Sequence, residues 1–360
     1  MTLQLYRDKI RDLICNHPLD IDSNIEINGR PPVSASSEFL TNKEQGDWAE
    51  KLVLSSINTA SHKYIAVPYG RSDTISAGDP GFSEFYMEYQ NELNTIGKRP
   101  DILVFKRTDL PATSLFDPQN DALITKAVLA IEVRSSSFLC NKYAQYMNNR
   151  TKQAEKNCLL LADKILKEPY GSILKSKNNV IYSMLENATV STFREINFRT
   201  VSWSSSSELC YISDCLKQLK ENIKLLHKRD YLSVTPKVED LALVNRWIQR
   251  YNVPHYYLQV FFDSGYIVSF EEILSISSNP DLEGSVFSIE KDVKNQEKTT
   301  IKIDINKTLP IIGKITMPSH YSVQKELDRG RLLFFVRFSG GEGFLDVDIF
   351  NALVGRNEKN

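Results

Sequence analysis

Apolar residues in this chain fall into short unbroken runs and longer periodic stretches, which read as strands and helices respectively. Ile102-Leu-Val-Phe105 and Val128-Leu-Ala-Ile-Glu-Val133 are unbroken runs and predict two buried strands. Lys63-Tyr-Ile-Ala-Val-Pro68 predicts an earlier strand, and His255-Tyr-Tyr-Leu-Gln-Val-Phe-Phe-Asp263 a later buried one. Helical spacing covers Leu3 to Cys15, residues 41–58, residues 141–168, Leu209 to His227, and the amphipathic stretch from Lys237 to Ile248. Glu84 to Glu92 and Val180 to Leu185 fit a strand or a short helix equally well. Residues 276–360 read as mostly β. Thr299 to Ile305 alternates there, and Leu332–Phe338 and Phe344–Asp348 flank Ser339-Gly-Gly-Glu-Gly343, which predicts a hairpin turn. Polar breaks fall around Asn28-Gly-Arg-Pro-Pro32, from Arg71 to Gly81, and in the serine-rich stretch from Val201 to Ser207.

The chemistry collects on the two unbroken runs. Pro100 biases Arg99 towards extended geometry, so Asp101 stands at the mouth of the first strand. Side chains alternate along a strand, so Glu132 and Arg134 share one face while Ile131 and Val133 point to the other. Pairing the two strands could bring Asp101 and Glu132 together. Two carboxylates and a nearby cation suit Mg2+, which takes one or two carboxylates, several waters and a substrate phosphate. The Val133 carbonyl could add a ligand. Charged residues at strand ends are also commonly no more than solvated, and the residue types alone leave both readings open.

With those residues in view, the chain resembles the PD-(D/E)xK nuclease superfamily through Pro100-Asp101 and Glu132-Val133-Arg134, and type II restriction endonucleases through the following Ser135-Ser-Ser137. Ile131 to Ser136, with the stretches from Lys237 to Ile248 and His255 to Asp263, looks closest to AccI-type enzymes. The resemblance spans about residues 40–140 and 233–275. It implies a third acid on the preceding helix, and Glu50 in Gln45-Gly-Asp-Trp-Ala-Glu-Lys-Leu-Val53 fits that place. Glu50 lies on the flank of a face formed by Trp48, Leu52 and Val53, where an ordinary solvated glutamate would look the same.

The sequence departs from the family pattern twice. Arg134 stands where a lysine is usual. A guanidinium stays protonated and cannot act as a base, though it can stabilise charge on a phosphate. Lys237, and after it Lys142, are candidates for a substitute lysine. The gap between Asp101 and Glu132 is long for a hairpin, so Arg107 to Thr125, with its two prolines, reads as an inserted loop.

Composition sets outer bounds. The 360 residues suffice for one large domain or two to three modules. No apolar run approaches the ~20 residues that span a bilayer, which predicts no membrane partner, and the first residues show no secretory h-region. Five scattered cysteines fit a reducing cytoplasm, and the close pair Cys210 and Cys215 reads as core or surface thiols. A net charge of −1 argues against a packaging protein and leaves a local DNA-binding surface open. The many bases of residues 141–168, among them Lys142, Arg150, Lys152 and Lys156, could track a DNA backbone or simply form a solvated face. Arg194, Arg199 and Trp203 suit groove contacts and an ordinary surface loop equally. Gly-x-Ser-x-Gly, Walker and His-Glu-x-x-His motifs are absent, and His255 reads as a satisfied core histidine.

These readings combine into an α/β fold with a restriction-endonuclease-like core: a central mixed sheet flanked by helices. Residues 1–40 form an N-terminal helix and linker, and residues 41–140 with 233–275 the nuclease core. Residues 141–232 are a helical insertion and candidate DNA-contacting region, and residues 276–360 a β-rich C-terminal module. The resemblance implies Mg2+-dependent double-strand cutting of DNA by Asp101, Glu132, Arg134 and Glu50, with the three acids as metal ligands. A palindromic target favours a homodimer, and a cognate DNA methyltransferase is the expected companion. The alternatives are a DNA repair or RNA-processing nuclease on the same fold, or a catalytically inactive sequence-specific DNA-binding module.

Overall fold

The computed structural model describes residues 3–21, 24–71, 75–110, 116–292, 298–327 and 330–359. The chain divides into two compact units, Met1–Cys140 with Ser233–Asn360, and Asn141–Leu232. The first unit begins with α1 (Leu3–Cys15), α2 (Ser37–Ala60), β1 (Tyr64–Pro68), α3 (Phe82–Thr95), β2 (Ile102–Lys106), α4 (Asp121–Ile124) and β3 (Leu129–Ser135). The second unit is helical: α5 (Cys140–Leu166), α6 (Tyr170–Lys177), α7 (Asn179–Glu186) and α8 (Ser207–His227). The first unit resumes with β4 (Ser233–Val234), α9 (Val238–Tyr251), β5 (His255–Val260), β6 (Gly265–Ser269), α10 (Phe270–Ser277) and β7 (Phe287–Asp292). It ends with β8 (Lys298–Asp304), β9 (Leu309–Ile315), β10 (Ser319–Leu327), β11 (Arg331–Ser339), β12 (Gly343–Leu345) and α11 (Val347–Lys359).

A seven-stranded mixed sheet in the order β1-β2-β3-β5-β6-β9-β12 organises the first unit. Only β3 and β5 run parallel, and α9 lies between them in the chain, as a parallel crossover requires. Alternation along the strands gives the sheet two faces. On one, Ile102, Val104, Ile131, Val133 and Leu258 pack against Trp48, Ala49, Leu52, Val53 and Ile57 of α2 and against Phe350 and Leu353 of α11. Helix α2 can do this because its buried positions recur every three or four residues. Its start is fixed by the Ser36 hydroxyl, which accepts from the Phe39 N–H at 3.0 Å. The residues between those inward ones, Glu132 and Tyr257 among them, therefore point to the opposite face. The second unit has its own apolar core, in which Ala154, Cys158 and Ile165 of α5 meet Leu216, Leu219 and Ile223 of α8.

The structure resolves or corrects several expectations. Glu84–Glu92 lies within helix α3, and Val180–Leu185 within helix α7. The expected loop from Arg107 to Thr125 contains α4, and its residues 111–115 lie outside the described residues. The C-terminal module is β-rich as expected, but the strand read over Phe344–Asp348 is shorter, since Val347 and Asp348 open helix α11. Its strands β9 and β12 belong to the main sheet. The Ser339–Gly343 cluster is not a hairpin turn. Strand β11 pairs with β10 and β12 pairs with β9, so the glycines pass the chain from one sheet to another. Local glycine signals mark a change of direction, but the partner of each strand is settled by distant packing.

Candidate active site

Strands β2 and β3 are antiparallel with Ile102 opposite Ile131, so one step further the register sets Asp101 against Glu132. Asp101 lies just before its strand, and its Oδ2 accepts from the Val133 N–H at 2.7 Å. Its carbonyl accepts from the N–H groups of Tyr69 and Gly70. A Cβ on Gly70 would lie 3.2 Å from Asp101 Oδ1, so glycine there leaves that oxygen room. Glu132 is 3 % exposed and, in the parallel register, stands beside Tyr257 of β5.

Two cations and a further acid complete the cluster. Lys98 Nζ donates to Glu132 Oε1 at 2.6 Å and to Asp240 Oδ2 at 2.9 Å. Arg134 Nη2 donates to Asp240 Oδ2 at 2.8 Å and lies 3.2 Å from Glu132 Oε1. Helix α9 supplies Asp240 from its first turn. The backbone of Lys98 docks on the same helix, its N–H donating to the Leu243 carbonyl at 3.0 Å. Gly97 makes that docking possible. Its φ of +85° favours glycine, and an added Cβ would collide with the Leu243 carbonyl and come within 2.7 Å of the Trp247 nitrogen.

The four charges set one another's protonation. Burial opposes ionisation of Glu132, but Lys98 and Arg134 outweigh it and hold the carboxyl below the usual range. Asp240 is depressed by the same two cations, again against burial. Burial and Arg134 oppose the charge on Lys98, yet Asp240 and Glu132 push its ammonium well up, so it stays protonated. Asp101 goes the other way. Burial, then Glu132 and Glu50, raise its carboxyl well above the ordinary value, against Lys98 and the Val133 N–H. The charge of Glu50 is thus felt at Asp101, as a third acid on α2 would be.

The arrangement suits a hard divalent cation. Asp101 is next to Glu132 when the β2–β3 register is continued by one residue, Glu132 Oε2 is buried with no hydrogen-bond partner among the described residues, and the anions around Asp101 are of the kind a cation relieves. The donor set fits such an ion on that pair. No group of three metal-ligating side chains is found among the described residues, and the charge of Glu50 acts on Asp101.

Lys237 is the N-cap residue of α9 and acts electrostatically on Asp240. Lys98 is a lysine that reaches Glu132 directly. Lys142, Lys152 and Lys156 are exposed on α5, in the second unit. Arg150 is also on α5, but its Nη2 donates to the carbonyls of Lys228 and Arg229 and so serves the unit's own structure. His255 is buried as expected but not satisfied. Neither ring nitrogen has a hydrogen-bond partner among the described residues, and burial pushes its pKa down to about 4, so the ring is neutral.

Sequence reasoning missed Lys98 and Asp240. The lysine lay in plain view three residues before Asp101, in Gly97-Lys-Arg-Pro-Asp101. Asp240 looked like an ordinary acid in the first turn of a helix, where the macrodipole favours one.

A family model described as AccI restriction endonuclease matches residues 4–360, well beyond the segments on which the resemblance was first drawn. No curated protein and no solved structure matches the chain.

Proposed function

The chain belongs to the AccI restriction endonuclease family, and from that premise we propose that it hydrolyses phosphodiesters in both strands of DNA at a short palindromic sequence, with the Asp101–Glu132 pair as its metal-binding centre on a restriction-endonuclease-like core. The observation that carries this reading is the Lys98 ammonium, 2.6 Å from Glu132 Oε1, on a strand whose register with β2 ends one residue short of Asp101.

Asp101 and Glu132 would hold Mg2+, with Glu50 adding negative charge from α2. When bound, the ion polarises a phosphoryl oxygen and lowers the pKa of a water. The protein's own groups do the rest. Lys98 remains protonated, so it acts by donating to an oxygen of the scissile phosphate as charge builds there, rather than as a base. Arg134 shares this task and cannot take a proton. Asp240 aims both cations from α9. Lys98 therefore fills the place that the sequence pattern leaves to Arg134. A palindromic target is matched by two chains about a two-fold axis, with a DNA methyltransferase protecting the host's own sites.

The test is incubation of plasmid DNA with the protein, with and without Mg2+. Discrete fragments that need the ion are expected. Smears or nicks would indicate a general nuclease, and binding without cutting an inactive DNA-binding module.

A further inference from the structure

The helical unit carries a recess that the active site does not use. Arg194, Phe198, Lys220, Lys224 and His227 bound it, and it encloses about 260 Å³. We propose that this recess holds a phosphate of the DNA backbone and that the helical unit supplies much of the enzyme's sequence-independent affinity. The proposal rests on DNA being the substrate.

Charge distribution gives the first argument. Residues 141–232 contain 15 Lys and Arg against 9 Asp and Glu, whereas the rest of the chain has 29 against 36. The near-neutral total hides a basic unit joined to an acidic one. Affinity for duplex DNA comes largely from neutralising phosphates, so a net-acidic catalytic unit gains most from a basic neighbour.

The recess concentrates that charge. Lys217, Lys220, Lys224 and His227 recur at three- and four-residue spacing and so lie on one side of α8. No carboxylate is among the described residues that line the recess. Arg194 and His227 have no hydrogen-bond or ion-pair partner among the described residues. Lys220 Nζ donates one hydrogen to the Phe198 carbonyl at 2.7 Å, which fixes the ammonium and leaves two donors. Lys224 pairs with Glu221 at 2.6 Å, but both side chains are more than half exposed, and such a pair yields readily to a phosphate.

The end of a helix opposes an anion with roughly half a negative charge. Three full cations and an imidazole outweigh it. The volume lies below the range of about 300–1,000 Å³ usual for small-molecule sites, which suits a phosphate with its water rather than an organic cofactor.

The experiment measures binding of the full chain to a short duplex of unrelated sequence, without Mg2+, over a series of salt concentrations. The triple variant Arg194→Gln, Lys224→Gln, His227→Gln is compared with Lys164→Gln, Lys167→Gln, which removes the same formal charge from exposed positions of the same unit. The triple variant should bind about tenfold more weakly, with a log–log salt slope shallower by about 2. The control should follow the wild type. Acetylation footprinting of the wild type gives a second readout that needs no variant: duplex should protect Lys220 and Lys224 but not Lys164 and Lys167. Unchanged binding by the triple variant, an equal loss in the control, or unprotected Lys220 and Lys224 overturns the recess. A wild type that binds no duplex at all would instead overturn DNA as the substrate, and the recess with it.

Discussion

In the proposed reaction Lys98 is the residue on which the chemistry turns. It is held between two carboxylates and kept charged by them, so its removal takes a cation from the phosphate without removing a metal ligand. Lys98→Met should slow cutting by at least about 100-fold while duplex binding stays near wild type. Single-turnover cleavage beside an anisotropy titration reads both, and a variant that cuts at full rate would return the role to Arg134. Asp240 allows a stability test with a defined sign. Its folded pKa is depressed, so its contribution is present above the unfolded value near 4 and fades as pH falls below that towards the folded one. Asp240→Asn leaves Lys98 and Arg134 short of a counter-charge and should cost about 3 kcal/mol at pH ~7. Urea unfolding of the two proteins should show that gap narrowing at pH ~3, and a gap independent of pH would contradict the assignment.

At the level of elements, the site is made by the docking of the segment before β2 onto α9, and Gly97 is the point of contact. Gly97→Ala would force a left-handed backbone onto alanine and drive a methyl into the Leu243 carbonyl. The expected loss is about 2–4 kcal/mol, read from the urea midpoint at unchanged m, together with loss of cutting because Lys98 is displaced. A neutral Gly97→Ala would mean that this docking does not position the lysine. The same elements show what the sequence made legible. Strand runs at 102–105 and 128–133 could be read because burial on both faces leaves continuous apolar stretches, and the two strands do pair. Asp240 could not be read, because an acid opening a helix has a local explanation and its reach to β3 is tertiary. The partners of β11 and β12 were hidden for the same reason. A glycine cluster between two apolar runs suggests a hairpin, whereas long-range packing gave each strand a different neighbour.

On the scale of the whole molecule, the charges divide as the two units do: an acidic unit bearing the Asp101–Glu132 site and a basic helical unit with a core of its own. Membership of the AccI restriction endonuclease family assigns the chain to DNA cleavage, and the site geometry indicates which residues would carry it. Glu132 is the residue common to every part of that account. It neighbours Asp101 in the continued β2–β3 register, receives Lys98 and Arg134, and has one oxygen with no hydrogen-bond partner among the described residues. The most direct measurement is Mg2+-dependent plasmid cleavage by Glu132→Gln, a near-isosteric change, run beside duplex binding by the same preparation. The expected result is duplex affinity close to wild type with no fragments formed. Fragments produced at the wild-type rate would contradict the account at its centre.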